Sequence, residues 1–279
     1  MSILWFSLFD RTVRVRCGSP ELQTILLNVY SGLAVQQPTG IPEPDLDYEV
    51  AIMDRQPESI LIQRDGQEPL YAEDTGLFLY QFEKDVTIAL ELIRSDLFFI
   101  HSAALEYNGR IHLLVAQSGG GKSTTSWALL HHGFQYASDE LAPVNLDTLT
   151  VLPYPHALCL KSEPPAPYSL PADTFQTDRS LHVPVESLPC TIVNSPLPLQ
   201  SILFVQYRPN ESPSITPISA SDASVRVYTN GLNQLAHPAD GLDAAIQIAQ
   251  HCRCYELTSN DLHSTCELVR STLDRDMGI

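Results

Sequence analysis

The feature that most narrows what this chain can fold into is a run of three glycines, Gly119, Gly120 and Gly121, followed at once by Lys122, Ser123 and Thr124. Adjacent residues without a Cβ let the backbone bend until successive N–H groups turn inward toward an anion. The flanks suit such a loop. Upstream, Ile111-His-Leu-Leu-Val-Ala116 is an apolar run that reads as a buried strand, and downstream Lys122 to His132 reads as a helix stopped by Gly133. Ala116 to Ser123 therefore matches the phosphate-binding loop in its variant with Ala at the first position. In that setting the helix start offers unpaired N–H donors and the positive end of its dipole. Lys122 is expected to bridge the β- and γ-phosphates, and the Ser123 hydroxyl to hold Mg²⁺.

A phosphate site of this kind needs carboxylates nearby. Mg²⁺ takes hard oxygen ligands, and a hydroxyl nucleophile needs a base for its proton. Asp139-Glu140 follows the next expected strand, Phe134 to Ser138. Neighbours on a strand face opposite ways, so both carboxylates reach one site only if the strand ends or bulges there. Before the loop, Leu97 to Tyr107 reads as one strand containing His101. The Asn108-Gly109 pair after it is a strong hairpin signal. The loop strand is thus expected to pair antiparallel with the strand ending at Tyr107, unlike the mostly parallel sheets of common loop ATPases.

Composition excludes several partners. The chain has 279 residues, 44% of them hydrophobic, enough for one large or two smaller cores. With 33 acidic against 16 basic residues and a net charge of −17, it is a poor ligand for nucleic acid or an anionic membrane. The alternating Arg11, Arg14 and Arg16 are expected to decorate one strand face. Six scattered cysteines form no disulfide ladder, which points to reduced thiols and a cytoplasmic setting. Cys252, Cys254 and Cys266 with His251 and His263 match no usual zinc spacing. The apolar start is too short for a signal peptide, and no stretch has the length of a membrane helix.

Two lobes are expected, an α/β lobe over 1–80 and a loop-bearing domain over 81–279. The first has loose strands over 2–17, a helix over 20–30, a loop over 36–47 and short strands at 48–53, 59–63 and 70–72. The second opens with a helix over 77–94. Residues 153–200, with ten prolines, read as a long loop, with a strand over 154–161 that delivers Lys161. A strand over 201–207, helices over 221–235 and 239–252, a strand over 253–257 and a helix over 260–273, capped by Thr258 with Asp261, complete the reading.

Taken in order, His101, Asn108-Gly109, Ser118-Gly-Gly-Gly-Lys-Ser-Thr124, the helix to Gly133 and Ser138-Asp139-Glu140 resemble the HPr kinase superfamily, in its HPr kinase-related serine kinase branch. The resemblance is firm over about 95–165 and softer over 200–275. It implies an α/β fold with a P-loop kinase core of the HPr kinase/PEP carboxykinase type and a mixed sheet, beside the small N-terminal lobe. It also implies an enzyme that uses ATP and Mg²⁺ to phosphorylate a serine-type hydroxyl of a peptide, protein or small molecule. Under it, Ser118 to Thr124 hold the phosphates, Asp139 takes the hydroxyl proton, Ser123 and Glu140 bind the metal, and His101 and Lys161 contact phosphate. Glu140 stands where the bacterial HPr kinases have Asp. The glycine-containing signature that supports phosphorolysis in the bifunctional enzymes is missing between 165 and 200. Those enzymes are hexamers, which keeps a homo-oligomer open here. The alternatives are a non-catalytic ATP-binding regulatory module and a P-loop nucleotide hydrolase.

Overall fold

The computed structural model describes residues 2–37, 43–54 and 59–278. The chain forms two compact units. One comprises Met1–Ile93, His156–Glu163 and Leu170–Ser187, and the other Arg94–Pro155, Pro164–Ser169 and Leu188–Ile279. The helix expected over 77–94 therefore belongs to the first unit, which runs past the boundary drawn at residue 80.

In the first unit β1 (Ser2–Leu8) and β2 (Arg11–Cys17) form a hairpin, followed by α1 (Pro20–Tyr30), β3 (Ala34–Val35), β4 (Leu46–Met53), β5 (Ser59–Arg64), β6 (Leu70–Ala72) and α2 (Thr75–Ile93). The sheet order is β3-β1-β2-β4-β5-β6, antiparallel except for the β2–β4 pair. Helix α1 starts where Ser19 accepts a hydrogen bond from the Leu22 N–H and Pro20 presets the first turn. Arg14 and Arg16 do share a strand face, and both donate to Asp47, whereas Arg11, three residues from Arg14, falls on the other face and donates to Asp45. Of the loop expected over 36–47, residues 38–42 lie outside the described residues.

The second unit holds β7 (Leu97–Ile100), β8 (Ala103–Tyr107), β9 (Arg110–Val115), α3 (Lys122–Leu130), β10 (Gln135–Ser138), β11 (Ala142–Asn145) and β12 (Thr150–Val151). The chain then gives β13 (Leu158–Leu160), β14 (Phe175–Gln176) and β15 (Leu181–Val183) to a small sheet of the first unit. It returns with β16 (Leu197–Tyr207), β17 (Ser214–Pro217), α4 (Ala220–Thr229), α5 (Leu242–His251), β18 (Arg253–Ser259) and α6 (Leu262–Met277). The main sheet runs β10-β8-β9-β16-β12-β11-β7, with β18 also paired to β16 and β17 to β18.

The sheet is mixed in the way that positions a site. Strand β8 pairs antiparallel with both β9 and β10, while β9, β16 and β18 are mutually parallel. The C-terminal ends of β9, β10, β16 and β18 therefore share one edge with the start of β8. Both faces of β9 are covered. Ile111, Leu113 and Val115 pack with Ile202 and Phe204 and with Ala223, Val227, Ala245 and Ile248 of α4 and α5. His112 and Leu114 project to the other face, where the His112 ring meets Phe134 edge-on. This is why the run reads as continuously apolar rather than alternating.

Several expectations need correction. The strand drawn from Leu97 to Tyr107 is two strands joined by a bend at His101-Ser102, and β7 pairs with β11, not with β9. His101 thus sits in a bend, not in a strand. The 153–200 loop contains β13, β14, β15 and the start of β16, and the strand expected over 154–161 is only Leu158–Leu160. The helix over 221–235 stops at Thr229, and that over 239–252 starts at Leu242. Asp261 caps α6 by accepting from the Ser264 N–H, a cap in which Thr258 plays no part. All six cysteines are free. Among the described residues no helix is long and apolar enough to cross a membrane.

Buried His112 gives the fold a pH dependence. Its Nδ1 lies 2.7 Å from Ser201 Oγ, and burial pushes its pKa down to about 4. The unfolded chain binds this proton near pH 6.5 and the folded chain only near 4, so the neutral ring contributes stability that is lost as pH falls between those values. Urea denaturation across that window should show stability declining with pH. A His112→Gln variant should be less stable at neutral pH but have a shallower decline.

Candidate active site

The glycine loop is shaped by its own backbone. Gly119 and Gly121 hold φ of +82° and +93°, values that side-chain-bearing residues rarely adopt. The Gly120 N–H donates to Gln117 O at 2.8 Å, and a Cβ on Gly120 would lie 2.9 Å from that same oxygen. The Gly120 carbonyl in turn accepts from the Tyr207 N–H at 3.0 Å, which ties the loop to the end of β16. Gly121 is the N-cap of α3 and, lacking a side chain, gives the helix start no side-chain cap. A turn held by glycines and leading into a helix start without a side-chain cap fits a phosphate group.

Lys122 is buried, at 8% exposure. Its Nζ donates to the main-chain oxygen of Asp139 and lies 3.3 Å from Glu140 Oε2. Ser123 Oγ donates to Asp139 Oδ2 at 3.0 Å. The carboxylates can both approach the loop because β10 ends at Ser138 with a register shift after Tyr136. Asp139 and Glu140 follow in a bend closed by the Leu141 N–H donating to Ser138 Oγ at 3.2 Å. Strand alternation no longer applies there, as the sequence required.

His101 enters from the start of β8. Its Nδ1 lies 3.1 Å from the Glu140 carbonyl oxygen and 3.4 Å from Glu140 Oε2. The carbonyl contact requires the proton on Nδ1. Partial burial, then the Lys122 charge, lowers the His101 pKa, opposed by Glu140. Asp139 is fully buried, whereas the Glu140 side chain keeps 33% exposure. The two carboxylates thus differ in access to solvent and in their partners.

His101, Ser118 to Thr124, Asp139 and Glu140 all belong to the second unit and share its sheet edge. Lys161 belongs to the other unit. It is exposed, just past β13 in the first unit. The sequence reading gave no site role to Arg208, Arg226, Thr229 and Asn230, which with the loop line a cleft of about 530 Å³. The signal for Arg208 was available, since Tyr207-Arg208 closes a strand parallel to the loop strand. The rest depend on where α4 ends, which the sequence misplaced.

No family model matches this chain, and no curated protein does. Among solved structures, the fold is similar to the Hpr(Ser) kinase/phosphatase from Coxiella burnetii, with a TM-score of 0.34 and 12% identity. That similarity covers 64% of this chain and 98% of the other. A likeness so distant carries no functional argument.

The loop geometry can be tested directly. Gly121→Ala forces a side chain to hold φ near +93° with its Cβ 3.3 Å from Tyr207 Cβ, at a strain cost of about 1–2 kcal/mol. Gly133→Ala carries comparable strain at φ +92° with open space around it. Urea denaturation should show both variants destabilised. Titration with ADP should show weakened binding for Gly121→Ala alone.

Proposed function

We propose that the chain is an ATP-dependent kinase that transfers the γ-phosphoryl group to a serine-type hydroxyl of a peptide, protein or small molecule. The observation that carries this reading is the convergence at one sheet edge of a glycine cradle, a buried ammonium and two carboxylates of unlike exposure. In the reaction the acceptor oxygen bonds to the γ-phosphorus as the bond from that phosphorus to the β,γ-bridging oxygen breaks. ADP leaves with the electron pair, and the hydroxyl proton passes to a carboxylate and then to solvent. Catalysis of this type is mostly positioning and charge stabilisation. The loop amides and Lys122 would hold the phosphates.

The family resemblance assigns proton acceptance to Asp139 and the metal to Glu140. We favour the exchanged roles. Asp139 is buried and already holds the hydroxyl of Ser123, the residue type that holds Mg²⁺ in such loops. Mg²⁺ bound by Ser123 and Asp139 would neutralise phosphate charge. Glu140 is open to solvent and contacts His101, so a hydroxyl can approach it. His101 would orient this carboxylate and share its charge.

The test is transfer of ³²P from γ-labelled ATP to serine-bearing acceptors, with ADP binding measured in parallel. Lys122→Met should lower transfer by about 10²–10³-fold. Glu140→Gln should lower it by about 10²–10⁴-fold while leaving Mg²⁺-dependent ADP binding intact. Asp139→Asn should weaken that binding. The opposite pattern would restore the roles that the resemblance implies, and nucleotide binding with no transfer to any acceptor would leave a regulatory module.

A further inference from the structure

Strand β7 is the last strand of the main sheet and pairs with β11 on one side. Every residue from Leu97 to Ile100 is fully buried, so the main-chain groups on the other side of β7 need partners as well. The segment after α4 supplies them. Gly231 forms an antiparallel bridge with Ile100. The His101 N–H donates to the Asn230 carbonyl at 2.8 Å, and the Leu232 N–H donates to the Phe99 carbonyl at 2.9 Å. The segment then turns away into a short 3-10 helix over Gln234–Ala236.

Asn233 carries the ladder on after the main chain has left. Its Oδ1 accepts from the Phe99 N–H at 3.0 Å, and its Nδ2 donates to the Leu97 carbonyl at 2.8 Å. In a continuing antiparallel ladder those two places belong to the Leu232 carbonyl and the Gln234 N–H. A side-chain amide fills both because it holds a donor and an acceptor side by side, as a peptide group does. Asn233 is itself buried, at 7% exposure. His237 adds a second contact to the strand, with Nε2 3.1 Å from the Leu97 carbonyl oxygen and its ring tilted against Phe98.

This edge holds a corner of the site. Ile100 stands opposite Ala142, two residues past Glu140. His101 follows in the bend, its main chain bonded to Asn230 and its ring Nδ1 3.1 Å from the Glu140 carbonyl oxygen. We infer that Asn233 is a positioning residue for this site: its amide fixes the end of β7, and thereby the place where the His101 ring meets Glu140. The inference rests on the kinase reading above for its effect on turnover, and it adds to that reading a residue that touches none of the reacting groups. Aspartate cannot stand in for it. A carboxylate gives the Phe99 N–H its acceptor but turns an oxygen toward the Leu97 carbonyl, where a donor is needed.

Amide hydrogen exchange by NMR and ³²P transfer, both on the full chain, test this together. In Asn233→Ala and Asn233→Asp the amides of His101 and Leu232 should exchange about ten-fold faster or more, while those of Leu113 and Leu114 in β9 exchange as before. Turnover should fall about ten- to hundred-fold, with ADP affinity and the KM for ATP unchanged. Ile248→Val, in the core against the same sheet, is the control. It lowers global stability without touching the segment, and should leave turnover and the ratio of His101 to β9 exchange at wild-type values. Should Asn233→Ala fail to fold, Asn233→Asp, which keeps the shape of the side chain, gives the same readings. Unchanged exchange at His101 in the folded variant, or a turnover loss no greater than that of Ile248→Val, would overturn the assignment. Failure of the kinase reading would look different: His101 exchange rises in the variants, yet the wild-type protein transfers no ³²P to any acceptor.

Discussion

An ammonium group with almost no access to water must find oxygen atoms to donate to, or the fold pays its desolvation cost. Lys122 is in that position, and the oxygens it finds are the main chain of Asp139 and the side chain of Glu140. This contact joins the first residue of α3 to the bend after β10, across the intervening β8. The bend must stay where it is for the lysine to remain satisfied, and Ser123, one residue on, then meets Asp139. The arrangement of the whole edge follows from one buried charge and the turn that receives it.

The direction of β8 matters equally. A parallel β8 would start at the far edge of the sheet and carry His101 away from the loop. Because β8 runs against β9 and β10, its first residues lie beside the loop and the acidic pair. The short Asn108-Gly109 turn enforces that reversal, with Asn108 at φ +52° and Gly109 at +75°. The Gly109 N–H donates to Glu106 as well, at 2.6 Å, so the hairpin is closed by a side chain in addition to its ladder.

Much of this was legible in the chain, for identifiable reasons. The loop, its strand and its helix were found because glycine conformation, apolar run length and helix stop are local properties. The antiparallel pairing of β8 with β9 was found because a two-residue turn fixes pairing over short range. The bend at His101-Ser102 was missed because the apolar runs on either side of it, Leu97 to Ile100 and Ala103 to Leu105, are buried on both faces and read as one continuous strand. Strands β14 and β15 inside the proline-rich region were missed because each is three residues or fewer and pairs only within a small sheet. The α4 boundary failed because Gly231 lies against Phe98, where a Cβ would come within 2.7 Å of the ring. That constraint is tertiary and leaves no mark on helical periodicity. Separating Asp139 from Glu140 required geometry, since adjacent acids are equivalent in sequence until a turn gives them different partners.

The interleaving of the two units has a consequence for biosynthesis. The first unit draws segments from beyond the loop-bearing strands, including β13, whose neighbour Ala157 donates to Val29 of α1 at 2.7 Å, and the stretch where Glu186 accepts from Ser31. A chain emerging from the ribosome amino end first cannot finish that unit until Ser187 has been made, by which time β7 to β12 and α3 are already outside the exit tunnel. The nascent protein must therefore leave the first unit without its small β13-β15-β14 sheet while the glycine loop is synthesised, and excising either unit at residue 94 would strand the other's missing pieces.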